Sequence, residues 1–342
     1  MMNGIGSQPL RRTKLHRPRT TTDLIQRPDL NALLNGSLDR PLILVAAPAG
    51  FGKTTLVSAW LETAAVPHAW LSLDAGDNNL GVFLAYFLSA IQSIFPHSMA
   101  KTRASLTGIN LPPVDVMAAS LINEMDALDR DFVLVLDDLH TIQDPAIHDL
   151  LSMLLQHPPQ GMHLIMLTRW DPLLHLGLLR ARNQVGEIRA HDLRFSVSEV
   201  AAFTERAMEA PLAEETVAAL ADRTGGWAAG LRLAILALRH GGDVGSYLAG
   251  LYTEKHYVRD YLVREVLSTV PPSIESFLLK TAILDQMSTP LCEAVISPDT
   301  PDCDPQACLA WLEANELFTL ALDAQGRWYR YHPLLAGHLR ER

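Results

Sequence analysis

Three short stretches of this sequence carry residue types at spacings that could do chemistry. The first is LILVAAPAGFGKTTLVSAW, Leu42 to Trp60. In it Ala47, Pro48, Ala49, Gly50, Phe51 and Gly52 bring small residues and glycine to a point where backbone must pass close to a ligand, and Lys53, Thr54 and Thr55 open an amphipathic helix. Backbone N–H groups in such a loop cradle phosphates. The Lys53 ammonium reaches the outer phosphates, the Thr54 hydroxyl sits on Mg2+, and the helix N-terminus adds the positive end of its dipole. The usual first glycine of G-x-x-x-x-G-K-[ST] is Ala47 here, so the pattern is met in its relaxed form. The plain alternative is a chance Gly-Lys-Thr turn ahead of a helix.

The second stretch, DFVLVLDDLHTI, ends an apolar run on Asp137 and Asp138. Asp137 at a strand end can hold Mg2+ directly or through water, and Asp138 can orient or deprotonate an attacking water. The same pair reads equally as a helix N-cap with a solvated neighbour. The third is MHLIMLTR, which places Arg169 at the end of another strand, where it can stabilise an outer phosphate or simply face solvent. Two weaker signals lie further on. Gly225, Gly226 and Trp227 begin an apolar helix, where small residues let backbone approach a base or sugar and the indole packs on it; core packing explains Trp227 as well. His332 stands alone before Pro333, the usual setting of an ordinary satisfied histidine.

These residues need elements to hold them. Leu42 to Val45, His68 to Asp74, the run before Asp137, Met162 to Arg169 and, more weakly, Gly186 to Leu193 read as strands, with helical periodicity between them. Alternating strands and helices give a parallel sheet covered on both faces, with ligands at the carboxyl ends of its strands. The phosphate loop, Asp137-Asp138 and Arg169 all fall at such ends. The alternation stops near Phe195. Ser196 to Glu199 has capping-box spacing and begins a run of helices rich in Ala and Leu that reaches about Val270. After Pro271-Pro272 come three helices and two short strands around DAQG, the pattern of a winged helix. The expected fold is α/β, a P-loop parallel sheet followed by a helical and a winged-helix-like domain, divided as a basic arm 1–22, an ATPase domain 23–195, a helical domain 196–270 and a winged-helix-like domain 271–342.

Composition narrows the class. At 342 residues and 48% apolar the chain buries a large core over two or three domains. A net charge of -10 gives no broad basic footprint for nucleic acid; the exception, Arg11 to Arg19, reads best as a solvated arm. No apolar run is long enough to span a membrane and the N-terminus lacks a signal-peptide core, which predicts a cytoplasmic protein. The three cysteines, Cys292, Cys303 and Cys308, match no metal or redox spacing and read as reduced, structural thiols.

Taken together, HRPRTTTDLIQRPDL, APAGFGKTTLVSAWL, AWLSLDAGDNN, FVLVLDDLHTI, LTRWDPLLHLGLLRARNQVGEIRAHDLRFSVSEV, TGGWAAGLRLA and YRYHPLLAGHLRER resemble the signal-transduction NTPases with numerous domains (STAND), in the MalT-like branch of the LuxR-type activators. The resemblance spans most of the chain. It implies ATPase, helical and winged-helix domains closed around ADP at rest, opened by ATP and an inducer for self-assembly, with slow ATP hydrolysis. It makes Lys53 and Thr54 the phosphate and metal contacts, Asp137 and Asp138 the acidic pair, Arg169 the first sensor arginine, Arg27-Pro28 an adenine-side contact, and His332 a contact to the ADP phosphates. Gly226 to Gly230 resembles a Gly-x-Pro segment, with Ala228 where relatives often carry proline. That branch normally continues into a helical-repeat sensor and a DNA-binding helix-turn-helix. With the sequence stopping at Arg342, the expectation is an isolated switch module that does not bind a promoter by itself. Two other readings stand beside it: a metabolic phosphotransferase using the same loop, and a degenerate interaction module, which the intact Lys53, Thr54, Asp137 and Asp138 argue against.

Overall fold

Pro41 feeds an unbroken apolar run into β1 (Leu42–Ala46), every residue of which is buried. Strands β2 (His68–Ser72), β3 (Phe132–Asp137), β4 (Met162–Thr168) and β5 (Val185–Arg189) join it in one sheet of order β2-β3-β4-β1-β5, and every pairing is parallel. The computed structural model describes residues 10–20, 24–108, 111–239, 267, 270–296, 304–315, 317, 319–323, 327–331 and 333–340. By their contacts the described residues form two compact units, one of residues 10–20, 26–46 and 53–192, the other of residues 24–25, 47–52 and those from 193 onward.

In the first unit, helices α1 (Pro28–Asn35), α2 (Lys53–Thr63), α3 (Leu80–Ile94), α4 (Ala100–Ser105), α5 (Val114–Asp126), α6 (Pro145–Gln156) and α7 (Leu176–Ala181) connect or flank the strands. Burial on both faces of β1, β3 and β4 is why these strands read as continuous apolar runs rather than alternating ones. Phe83, Phe87 and Leu84 of α3 pack with Leu121 of α5 and Leu150 of α6 into the core against Leu134 and Leu164.

Two expectations change. The run Gly186 to Leu193 does not stay extended: β5 ends at Arg189 and Ala190–Leu193 form a helical turn, α8, because the Asp192 carboxylate accepts from the Arg189 backbone N–H at 2.8 Å. A local side chain thus offers the backbone an alternative to the ladder. Residues 10–20 are only partly solvated: Arg11, Arg12, His16 and Arg19 are exposed, while Lys14 and Arg17 are drawn onto the body of the unit. A short 3-10 turn at Arg12–Leu15 runs beside β2, Lys14 Nζ meets Asp77 and Asp74 at 2.6 and 2.8 Å, and Arg17 bonds Glu62 at 3.1 Å. Lys14 and Arg17 of the basic run thus neutralise carboxylates of their own chain.

In the second unit, α9 (Val197–Met208) starts on the expected capping box, with both reciprocal bonds between Ser196 and Glu199 present. It packs with α10 (Glu214–Thr224) and α11 (Ala228–Arg239) around Val200, Leu220 and Leu231. Further along, α12 (Pro272–Thr281), α13 (Thr289–Val295), α14 (Pro305–Ala314), the antiparallel pair β6 (Thr319–Ala321) and β7 (Tyr329–Tyr331), and α15 (Pro333–Arg340) make the winged helix. Met287 adds a one-residue third strand against Tyr329, and the Tyr331 hydroxyl reaches Thr281 at 2.6 Å. Cys292 and Cys308 are buried free thiols; Cys303 lies outside the described residues.

Candidate nucleotide site

The first unit gathers Lys53, Thr54, Asp137, Asp138 and Arg169 at strand ends and at the start of α2. The Thr54 hydroxyl donates to Asp137 Oδ1 at 3.0 Å, and the Asp138 backbone N–H donates to the same oxygen at 3.0 Å. Asp137 is 3% exposed. Burial, and then the neighbouring Asp138 carboxylate, push its carboxyl up to about 7 against the opposing Thr54 bond and Lys53 charge. Lys53 is also buried, and burial followed by the Arg169 charge brings its ammonium down to about 8, with Asp138 and Asp137 acting the other way. Two groups of opposite sign are therefore each held near their neutralisation point. Both gain when a ligand supplies the missing charge.

Asp138 turns the chain into a left-handed conformation, φ 59° and ψ 37°, and makes no side-chain cap to the 3-10 turn Leu139–Thr141 that follows. The N-cap reading of this residue is thereby set aside. Aspartate is among the few side chains that tolerate such a backbone. Its carboxylate is half exposed.

His140 escaped the sequence reading. Its side chain is 7% exposed, with Nδ1 3.8 Å from Asp138 Oδ1 and no hydrogen-bond partner. The ring stands edge-on to Trp170 with centroids 5.3 Å apart. Burial, then the Arg169 and Lys53 charges, depress it to about 3, so it is a neutral imidazole at physiological pH. A histidine two places after an acidic pair, between Leu139 and Thr141, was the available signal.

Of the remaining expected contacts, Arg27 is the N-terminal flank of α1 and donates to the Asp192 carbonyl at 3.2 Å, with Pro28 in the first turn. Thr55 is exposed on the first turn of α2. His332 lies outside the described residues.

Mg2+ and a nucleoside phosphate suit these donors. Thr54 and Asp137 offer two hard oxygens already side by side, and Mg2+ bound to phosphates needs no more from a protein, since water and phosphate complete its octahedron. Among the described residues no group of three or more His, Cys, Asp or Glu side chains is arranged to hold a metal by itself.

The loop that precedes Lys53 in the chain belongs by its contacts to the second unit. Gly50 and Gly52 have φ of 79° and 81°, which glycine adopts without strain. Ala47, Pro48, Ala49 and Phe51 are buried. The Ala49 carbonyl accepts from Trp227 Nε1 at 3.0 Å and the Gly50 carbonyl from the Ala229 N–H at 3.0 Å. Trp227 is 1% exposed. The glycines around it serve close approaches within the protein: a Cβ on Gly226 would lie 2.4 Å from the Phe195 carbonyl oxygen, and one on Gly230 would lie 2.6 Å from the Trp227 ring.

Comparison with known proteins adds to this geometry. A model of the AAA ATPase domain matches residues 26–167 and a model of the MalT winged helix domain matches residues 263–342. Two curated relatives, both HTH-type transcriptional regulator MalT from strains of Klebsiella pneumoniae, are 34% identical over 332 and 334 residues, 96% of this chain and 36% of theirs. The chain thus spans about a third of the length of these relatives. Among solved structures, a Walker-type ATPase of Pyrococcus abyssi shares the fold with a TM-score of 0.65 at 18% identity, covering 95% of this chain and 98% of that one. The fold is that of a P-loop AAA ATPase followed by a winged helix, as the sequence reading expected.

Proposed function

We propose that this chain, a MalT-like P-loop NTPase module, works as a STAND-type regulatory nucleotide switch of the LuxR-type activators, resting with ADP and opened by ATP and an inducer for self-association. Slow hydrolysis returns it to the ADP state. The observation that carries the reading is the oxygen shared by Thr54 and the Asp138 N–H at Asp137, beside the buried Lys53. Lys53 takes the outer phosphates. Thr54 and Asp137 hold Mg2+, which supplies charge neutralisation on the phosphates when bound. Asp138 positions water, with neutral His140 beside it, and Arg169 answers to the outer phosphate. Arg27-Pro28 on the adenine side, the loop from Ala47 to Thr55 and His332 complete the proposed nucleotide contacts, and Gly226 and Trp227 act on the nucleotide through that loop. A cytoplasmic location goes with this reading; among the described residues no helix is long and apolar enough to cross a membrane.

The competing reading, a phosphotransferase acting on a metabolic acceptor, uses the same loop. The similarity to proteins named as transcriptional regulators favours the switch. Identifying the nucleotide that accompanies the purified protein tests the choice. Retained ADP with turnover slower than about one per minute supports the switch. Failure to bind ADP at millimolar concentration, or rapid phosphate transfer to an added acceptor, overturns it.

A further inference from the structure

We infer that Trp227 and the first turn of α11 hold the phosphate loop in its anion-binding shape by its carbonyls, so that diphosphate affinity is set partly by a residue that need not touch the nucleotide. This deepens the proposed function and rests on its phosphate-loop reading. The planarity of the trans peptide carries the argument: the C=O of one residue and the N–H of the next point in opposite directions. Anchoring the Ala49 carbonyl to the Trp227 indole turns the Gly50 N–H away from α11. Anchoring the Gly50 carbonyl to the Ala229 N–H does the same for the Phe51 N–H. Successive N–H groups directed to one side, with left-handed glycines at Gly50 and Gly52, make the concavity that receives an anion.

The surrounding sequence fits this clamp residue by residue. Gly225 ends α10 with φ 58°, and Gly226, φ 70°, gives its carbonyl to the Phe195 N–H at 2.9 Å while its missing Cβ makes room for the Phe195 backbone. Gly230 leaves the space the indole ring occupies one helical turn below. The segment Gly225–Gly230 is thus built to present one N–H from a side chain and one from a helix start to consecutive loop carbonyls. Trp227 is a positioning residue, acting on phosphate through the loop. Its role differs from base packing, in which the indole itself would face the adenine.

The test uses the full chain and two probes, ADP and inorganic pyrophosphate, each competed against a fluorescent ADP analogue, with melting temperatures taken alongside. Trp227→Phe keeps most of the ring and deletes the donor. The expected result is an equal loss for both probes, roughly five- to ten-fold, the scale of one hydrogen bond. Loss confined to ADP would make the indole a base contact and overturn the clamp. Unchanged affinity for both, with a lower melting temperature, would leave Trp227 as core packing and also overturn it. Should Trp227→Phe fail to fold, Gly230→Ala displaces the ring without altering the loop sequence: equal loss of both probes supports the clamp, and unchanged affinities overturn it. Lys53→Ala separates the two layers of the argument. If it abolishes binding of both probes while Trp227→Phe has no effect, only the clamp is wrong; if it leaves both intact, the phosphate-loop reading fails.

Discussion

The Thr54 hydroxyl and the Asp137 carboxylate meet at 3.0 Å across 83 residues of chain, joining the first turn of α2 to the end of β3. The bond orients a buried carboxylate that would otherwise be costly to keep charged. Thr54→Ala is expected to weaken Mg2+-dependent ATP binding about ten-fold or more, and Thr54→Ser to retain it. Titration calorimetry with and without Mg2+ checks this. Equal loss in the absence of metal would place Thr54 outside the metal site.

If Asp137 holds the metal as proposed, its position makes that binding depend on pH. Its carboxyl, raised to about 7 from 3.8, holds a proton below that value in the nucleotide-free protein. A metal requires the carboxylate, so binding below pH 7 expels the proton, and Mg-ATP affinity should rise with pH up to about 7 and then level off. Folding has the opposite sign. Between about 4 and 7 the native state binds a proton that the unfolded chain has lost, so this group's contribution to nucleotide-free stability falls as pH rises through that window. Affinity and melting curves from pH 5 to 8, on the parent and Asp137→Asn, measure both trends; the variant should flatten each.

Asp138→Asn isolates the proposed water-positioning role cleanly, because asparagine accepts the left-handed backbone that Asp138 adopts. ATP binding should stay within a few-fold and hydrolysis should slow by two orders of magnitude or more, in the range of lost general-base assistance. Single-turnover hydrolysis at the parent rate would remove Asp138 from the chemistry.

The resemblance assigns His332 to the ADP phosphates, and this proposal is tested by kinetics. His332→Ala should release ADP several-fold faster and favour a self-associating form, since losing one hydrogen bond of about 1 kcal/mol shifts a two-state equilibrium by that differential. An unchanged off-rate, with stability lowered equally with and without ADP, would make it a packing residue.

The strands β1 to β4 were legible because each is an apolar run closed by a polar pair or a turn, and burial on both faces leaves little ambiguity about their class. β5 was overextended because Asp192, a residue inside the expected strand, captures the Arg189 N–H, which periodicity does not register. The anchoring of the otherwise largely exposed arm through Lys14 was missed for a related reason: a count of basic residues says nothing about where Asp74 and Asp77 will stand. At the candidate site, residue types and strand ends were readable, whereas the partner of Trp227, 178 residues away, and the burial that keeps His140 neutral exist only in three dimensions.

One consequence of the packed arm concerns the sheet's border. β2 is the outermost strand beside β3, and residues 12–15 run against it, tethered by Lys14. An outermost strand stripped of its neighbour is a template for strand addition from another molecule. Deleting residues 1–20 should therefore produce oligomers whose formation is indifferent to nucleotide and suppressed by restoring the segment, as light scattering with ADP and with ATP would record.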